Sequence, residues 1–221
     1  MPSQIINELS VQIPIYFLNF FFSATVVGLY ALPQKLLNVP VVLIGNSIGQ
    51  VFFKDASKQM NSPENLKKTT HSLFSMLFYI GVIPFSVAMI FGDSLICWIF
   101  GAEWQQSGVY VQYLSPWLMF VLIGSPLSRL FTVLEKQREG LWFNVVLLII
   151  RFLGLAIGTF IFNSADVAVK LFAISGAIYW IFLSFYTLRM AKVRLLPVIA
   201  NTFIIWASVV FLLYIIKYIF I

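Results

Sequence analysis

Short polar breaks divide the sequence into seven long apolar runs, and this pattern limits the possible folds more than any other feature. A transmembrane helix needs about 20 mostly apolar residues. Seven such runs in 221 residues leave no segment to build the polar shell of a soluble helical protein. The runs therefore predict membrane-spanning helices and not buried core helices. Their predicted bounds are Val11–Leu32, Leu36–Phe53, Thr70–Phe91, Val109–Phe131, Leu141–Phe162, Val167–Met190 and Pro197–Ile221.

The composition agrees with this prediction and excludes several classes of protein. Hydrophobic residues make up 61% of the chain and charged residues 10%, whereas soluble domains average about 45–50% and 25%. A soluble enzyme and a nucleic-acid-binding protein are therefore excluded. The single cysteine, Cys97, and the single histidine, His71, leave no disulfide framework and no Cys/His metal site. We expect an all-α polytopic bundle of about seven transmembrane helices, one domain over residues 1–221, with no catalytic activity, cofactor or metal.

The basic residues alternate between the breaks and predict the orientation of the chain. Lys and Arg are enriched in cytoplasmic loops of membrane proteins. Ten of the 14 basic residues follow the second, fourth and sixth runs, so we assign these loops and the N-terminus to the cytoplasm and the C-terminus to the outside. The ten are Lys54, Lys58, Lys67, Lys68, Arg129, Lys136, Arg138, Arg189, Lys192 and Arg194.

One charged residue, Arg151, lies about ten residues into the fifth run and therefore near the bilayer centre. An arginine there costs about 2.5–3.5 kcal/mol on insertion scales and marks a functional site by default. Its guanidinium suits a phosphate, which it binds through two parallel hydrogen bonds. It is either an anion site in a transport pathway, a structural arginine bound by carbonyl groups, or a side chain that reaches the interface.

The second run is the most polar. The spacing of Asn38, Asn46 and Gln50, by eight and then four residues, places all three on one helix face. A polar face on a membrane helix either lines a cavity or forms hydrogen bonds with another helix. Arg129, after the fourth run, is a weaker candidate for substrate binding because it also fits a cytoplasmic anchor.

Prolines interrupt four of the seven runs, at positions 14, 40, 84, 116 and 126. A proline removes one backbone hydrogen bond and kinks a helix, and transporters use such breaks as hinges. The hinge candidates are Pro40, Pro116, Gly124 and Pro126, of which the Gly124-Ser125-Pro126 segment is the strongest. The alternative is that proline is simply common in membrane helices.

Several short sequence segments, taken in their order along the chain, resemble those of a known protein family. They are Gly28-Leu29-Tyr30-Ala31-Leu32, Pro40, Ile44-Gly45, Ile48-Gly49-Gln50-Val51-Phe52, Phe100-Gly101, Trp104, Ser107-Gly108, Tyr110, Pro116-Trp117, Ser125-Pro126-Leu127-Ser128 and Val133-Leu134-Glu135-Lys136-Gln137. Over roughly residues 3–196, the chain resembles the C-terminal half of polysaccharide biosynthesis membrane proteins. The resemblance is to the Wzx-type O-antigen flippases of the multidrug/oligosaccharidyl-lipid/polysaccharide exporter superfamily.

The resemblance implies a multi-pass protein of the bacterial inner membrane that acts in lipopolysaccharide biosynthesis. Such a flippase moves an oligosaccharide linked to undecaprenyl pyrophosphate across the membrane by alternating access between two lobes. It implies a cationic cavity, to which Arg151 is the first candidate contributor, and a partner N-terminal lobe that this chain lacks.

Three alternatives stay open beside this interpretation. A drug-type antiporter coupled to a cation favours a deep Asp or Glu, and none of the runs offers one at the depth of Arg151. A glycan polymerase or ligase exposes a large outer loop with basic and His residues, whereas the longest outer loop, Gly92–Gly108, has neither. A non-transporting membrane fragment is the third alternative.

Overall fold

A computed structural model describes the backbone of residues 2–220 and the side chains of residues 12–219. Nearly all of this part of the chain is helical, and no strand occurs in it. The predicted all-α helical bundle is confirmed. The helices are α1 (Pro2–Phe21), α2 (Ala24–Lys58), α3 (Pro63–Phe100), α4 (Gln105–Leu127), α5 (Leu130–Val133), α6 (Gln137–Ala156), α7 (Ala165–Met190) and α8 (Leu195–Phe220), with a 3₁₀ turn at Ala102–Trp104 and a π-helical turn at Ile157–Ile161.

Six helical segments among the described residues are long and apolar enough to cross a membrane, where the sequence predicted about seven. They correspond to α2, α3, α4 with α5, α6 with its π-helical turn, α7 and α8. These segments make the chain a multi-pass membrane protein. The last five predicted runs overlap α3 to α8, and the predicted end at Ile221 lies outside the described residues.

The first two predicted runs, Val11–Leu32 and Leu36–Phe53, are divided at the wrong place. The helix break lies at Phe22-Ser23, and α2 continues through Pro33, Gln34 and Lys35. Ser23 caps α2, because its hydroxyl accepts a hydrogen bond from the backbone N–H of Val26 at 3.3 Å. The polar pair 34–35 does not end the helix, since Gln34 is buried in the bundle and Lys35 is exposed.

Helix α4 forms the centre of the bundle and packs against α2, α3 and α7. Small residues allow these close approaches, as is general for membrane helices. A Cβ on Gly108 of α4 would lie 2.5 Å from the backbone of Asp93 in α3. A Cβ on Gly124 of α4 would lie 2.7 Å from the ring of Trp180 in α7. Outside this centre, α1 packs against α6, and α8 packs mainly against α3.

The basic residues collect at one end of the bundle, which we call the basic end; it comprises the α2–α3, α4–α6 and α7–α8 connections. Contacts show that these connections share one end: Tyr186 near the end of α7 donates a hydrogen bond to Glu139 at the start of α6 at 2.8 Å, and Lys68 and Arg194 line one cleft. At the other end, Lys217 of α8 forms an ion pair with Asp93 of α3 at 3.1 Å. The charge asymmetry predicted from the sequence is therefore an asymmetry of the folded bundle.

The prolines are accommodated within continuous helices, except at the end of α4. Helices α1, α2 and α3 run through Pro14, Pro40 and Pro84, and α4 runs through Pro116. Beyond the Gly124–Pro126 segment, α4 ends at Leu127, and the chain continues into α5. The strongest hinge candidate therefore coincides with a real helix junction, while its motion stays a prediction.

Helix α6 ends in the π-helical turn, which brings it against the start of α7. Gly158 lies so close to Ala168 of α7 that a Cβ at position 158 would overlap the backbone of Ala168. Turns of this kind often mark functional or packing constraints within a helix. Here the constraint is the contact between α6 and α7.

This contact predicts that Gly158→Ala destabilises the bundle. The added methyl group has to push α7 away, and overpacking of this kind costs about 1–3 kcal/mol or more. Gly28→Ala in α2 is the matched control, because a Cβ at position 28 meets nothing within 4 Å. Thermal unfolding in detergent should show a lower midpoint for Gly158→Ala only. Equal midpoints for the two variants would contradict the tight α6–α7 contact.

Candidate functional site

The most polar of the large clefts opens between the end of α4, α5, α6 and α7, and encloses about 410 Å³. We call it the Arg129 cleft. Its lining combines one cation with hydroxyl, amide and aromatic side chains, and carries no carboxylate. The lining residues are Ser125, Ser128, Arg129, Phe131, Thr132, Gln137, Gly140, Leu141, Phe143, Asn144, Tyr179, Trp180 and Leu183.

Arg129 is positioned by the end of α4 and by a glycine on α2. It lies two residues after the last residue of α4 and has helical backbone angles, φ −61° and ψ −18°. Its side chain crosses Gly49, where an added Cβ would lie 2.5 Å from the Arg129 Nε. Gly49 therefore leaves the space that the arginine occupies, so that Arg129 both lines the cleft and contacts α2.

The chemistry of the Arg129 cleft suits a ligand that is anionic and rich in hydroxyl groups. A guanidinium binds phosphate oxygens in pairs. The amides of Gln137 and Asn144 offer donors and acceptors. The rings of Tyr179 and Trp180 add apolar faces with polar edges. Such a mixture, a few polar groups on an aromatic wall, is typical of small-molecule sites.

A second polar group lies at the start of α6, next to the cleft lining. Glu139 accepts hydrogen bonds from the Tyr186 hydroxyl at 2.8 Å and from the Lys136 ammonium at 2.9 Å. The bond to Glu139 raises the pKa of Lys136 above its usual value. The Glu139 carboxylate is therefore already engaged in hydrogen bonds with Lys136 and Tyr186.

Arg151 lies in the packed interior of the bundle and does not line the Arg129 cleft. Its side chain is only 2% exposed. The guanidinium carbon is 4.5 Å from the ring centre of Trp117 and 5.1 Å from that of Phe172. Arg151 is thus packed between aromatic rings, and its role in a substrate site stays a prediction.

Tyr179 connects the buried arginine with the cleft. It lines the Arg129 cleft, and it is also an electrostatic neighbour of Arg151, as is Tyr30 of α2. Arg151 therefore lies behind the aromatic wall of the cleft.

The polar residues predicted on α2 separate into two groups. Asn46 and Gln50 are exposed, whereas Asn38 is half-buried. Gly45 and Gly49 on the adjacent face are buried against Pro126 and Arg129. With a rise of about 1.5 Å per residue, Asn46 lies roughly 12 Å along the helix from Lys54 at the basic end. Hydrocarbon cannot satisfy exposed amides at this depth, so this face needs water or another protein surface.

Sequence reasoning missed several residues of this region. Lys35 lies on the same side of α2 as Asn46, whereas the predicted run bounds place it in a break between helices. The cleft lining also contains polar residues that the sequence analysis does not predict as site residues: Ser128, Thr132, Gln137 and Asn144. Polar residues beside apolar runs were the signal that could have identified them. The structure brings Gln50, Gly49 and Arg129 into one region, and it keeps Arg151 apart from them.

Comparison with known proteins adds two matches. The sequence model of a family described as "Polysaccharide biosynthesis protein" matches residues 1–108, which include α1 to α3. The chain is 24% identical over 148 residues to "Capsular polysaccharide biosynthesis protein CapF" of Staphylococcus aureus. Both matches are to proteins described as acting in polysaccharide biosynthesis. That alignment covers 66% of this chain and 37% of CapF, so the chain spans little more than a third of this relative. No solved structure matches the chain significantly.

The two arginines should differ in their effect on stability. Arg151→Ala removes a desolvated cation from between two aromatic rings and leaves a cavity, so we expect a loss of about 2 kcal/mol or more. Arg129→Ala, at the open cleft, should cost less than about 1 kcal/mol. Thermal unfolding of both variants in detergent measures the difference. A loss for Arg129→Ala as large as that for Arg151→Ala would contradict the packing described here.

Proposed function

We propose that this chain is one lobe of a transporter for a lipid-linked oligosaccharide in polysaccharide biosynthesis. The substrate class is an O-antigen-type or capsule-type repeat on undecaprenyl pyrophosphate, and transport proceeds by alternating access. The observation that carries the proposal is the Arg129 cleft, in which one guanidinium lies among hydroxyl, amide and aromatic side chains and the lining has no carboxylate. Arg129 also contacts the buried Gly49 of α2, whose neighbouring exposed face carries Asn46 and Gln50.

The chemistry of this surface matches the two parts of such a substrate. Arg129 suits the pyrophosphate, because a bidentate guanidinium–phosphate contact is strong and directional. The hydroxyl and amide groups of the cleft suit sugar hydroxyls, which are both donors and acceptors. Arg151 behind Tyr179 strengthens the positive potential of the site.

The exposed face of α2 supports a second lobe as partner. Lys35, Asn46 and Gln50 cannot all face hydrocarbon without large cost. A second lobe facing α2 would enclose a water-filled cavity between the two polar surfaces. CapF has enough additional length to contain such a lobe, since the alignment covers 37% of it.

The lining of the Arg129 cleft argues against a cation-coupled drug antiporter. It contains no Asp or Glu. Two acidic residues at the opposite end are engaged: Asp93 with Lys217, and Asp166 with Gln106 and Tyr113 of α4. Glu139 is held by Lys136 and Tyr186. An anionic lipid-linked substrate fits this charge distribution better.

The proposal predicts that Arg129→Gln impairs transport. A lost charge-assisted hydrogen bond of about 1.5–3 kcal/mol corresponds to at least a tenfold slower translocation. The assay is surface-glycan display in a transporter-deficient cell that expresses this chain together with an N-terminal lobe. Arg138→Gln is the matched control, because Arg138 is exposed at the start of α6 and lies outside the cleft lining. Equal display by both variants at equal protein levels would contradict the role of Arg129.

The orientation is a second part of the proposal, with the basic end in the cytoplasm of a bacterial plasma membrane. We expect a cysteine at Lys58→Cys to react with an impermeant maleimide only after the membrane is permeabilised. A cysteine at Glu103→Cys should react in intact cells, because Glu103 is exposed at the opposite end. Both tests use a Cys97→Ala background, since Cys97 is the one native cysteine. The reverse labelling pattern would invert the orientation.

A further inference from the structure

A second cleft, between α3 and α8, is separate from the transport site. It encloses about 380 Å³ and shares no lining residue with the Arg129 cleft. We call it the α3–α8 cleft. Its lining residues are Lys67, Lys68, His71, Phe74, Ser75, Phe78, Tyr79, Val193, Arg194, Pro197, Val198, Asn201, Thr202 and Ile205.

The end of this cleft nearest the basic end is cationic on both walls. Lys67 and Lys68 come from the second turn of α3, and Arg194 comes from the α7–α8 connection. The lining includes no carboxylate. Lys67 forms a partly exposed pair with Glu64 at 3.4 Å, whereas no ion pair is found for Lys68 or Arg194 among the described side chains. Two cations from opposite walls are thus available to one anionic group.

The rest of the cleft is an apolar groove that follows the two helices. The residues of the α3 wall recur at helical spacing from Lys67 to Tyr79, and those of the α8 wall recur from Arg194 to Ile205. At about 1.5 Å per residue, each wall is roughly 17 Å long. Phe74, Phe78, Val198 and Ile205 supply apolar surface along it.

The groove is accessible from the membrane because α8 is a peripheral helix. Only 6% of its most apolar stretch is buried inside the bundle. Its contacts with α3 leave most of its side chains on the outside, among them Leu196, Phe211 and Tyr218. A ligand can therefore enter from the side, between α3 and α8, without passing through the bundle.

We propose that the α3–α8 cleft binds an anionic phospholipid of the leaflet at the basic end. The phosphate group lies between Lys68 and Arg194, and an acyl chain follows the apolar groove. A cationic head and an apolar groove of membrane depth match an amphiphile, and basic pockets between transmembrane helices bind acidic lipid headgroups. A bulk phospholipid is favoured over the polyprenyl carrier, because the cleft lies at the periphery and is separate from the Arg129 cleft.

Native mass spectrometry of the purified full chain tests the proposal, with phosphatidylglycerol and phosphatidylcholine of identical acyl chains as probes. Each surface cation contributes about 1 kcal/mol of attraction, or about fivefold in affinity. We expect a clear preference for phosphatidylglycerol, and about 25-fold weaker binding by Lys68→Gln/Arg194→Gln. Equal binding of the two lipids by the unmodified chain would overturn the proposal.

The matched control is Lys58→Gln/Lys192→Gln, which removes the same charge from the same end of the bundle, outside the cleft. It should keep the preference for phosphatidylglycerol. An equal loss in both double variants would mean a nonspecific surface effect and overturn the site. If a double variant fails to fold, the single variants Lys68→Gln and Arg194→Gln are compared with Lys192→Gln, each cleft variant being expected about fivefold weaker.

Two competitors distinguish the source of the phosphate. Glycerol phosphate, which has the headgroup but no acyl chain, should not displace phosphatidylglycerol at equal concentration. Complete displacement would show that the apolar groove contributes nothing. Undecaprenyl phosphate should bind no better than phosphatidylglycerol, and a preference for it would assign the cleft to the lipid carrier and overturn this proposal.

Discussion

The close packing around α4 is the constraint on which the rest of the bundle depends. Membrane helices gain no hydrophobic free energy from leaving lipid for each other, so association relies on packing and polar contacts. In this chain, Gly108 brings α3 against α4, and Gly124 and Gly176 bring α7 against it. A methyl group at any of these positions would lie within 3 Å of a neighbour. The central helix is thus held by contact distances that only glycine permits.

This packing also decides what the intramembrane arginine does. Trp117, which fits against Gly176, presents its ring to Arg151, and Phe172 of α7 presents a second ring. Aromatic faces attract a cation more strongly when water is excluded, which offsets part of the cost of its burial. Trp117 and Phe172 can both contact Arg151 only because α4 and α7 approach closely. The charge is therefore coupled to the packing of the core.

The sequence predicted those features that depend on long or repeated patterns. Apolar runs of membrane length predicted α3, α4, α6, α7 and α8. Of the three polar residues predicted on one face of α2, Asn46 and Gln50 are exposed together, whereas Asn38 is half-buried. The break at 33–35 was wrong, because burial of Gln34 in the bundle is a tertiary effect that a local pattern does not show. The Ser23 cap was the better local signal.

The candidate site was harder to predict than the fold, for a related reason. Depth in the membrane singled out Arg151 above Arg129, but depth along a helix does not say which direction a side chain faces. The direction depends on Gly49, which lies 80 residues before Arg129 and leaves the space that this arginine fills. Trp117 and Phe172 likewise enclose Arg151 from two other helices. A single sequence contains these residues but not their contacts.

The two clefts differ in how they are built into the bundle, and this difference bears on the proposed transport by two lobes. The Arg129 cleft is formed where α4 ends and α5 begins, so a bend at the Gly124–Pro126 segment would change its shape. The α3–α8 cleft lies along two continuous helices and involves no such junction. Since transporters move through broken helices and rigid bundles, we infer that substrate handling belongs to the first cleft. A lipid in the second would remain in place while the lobe moves.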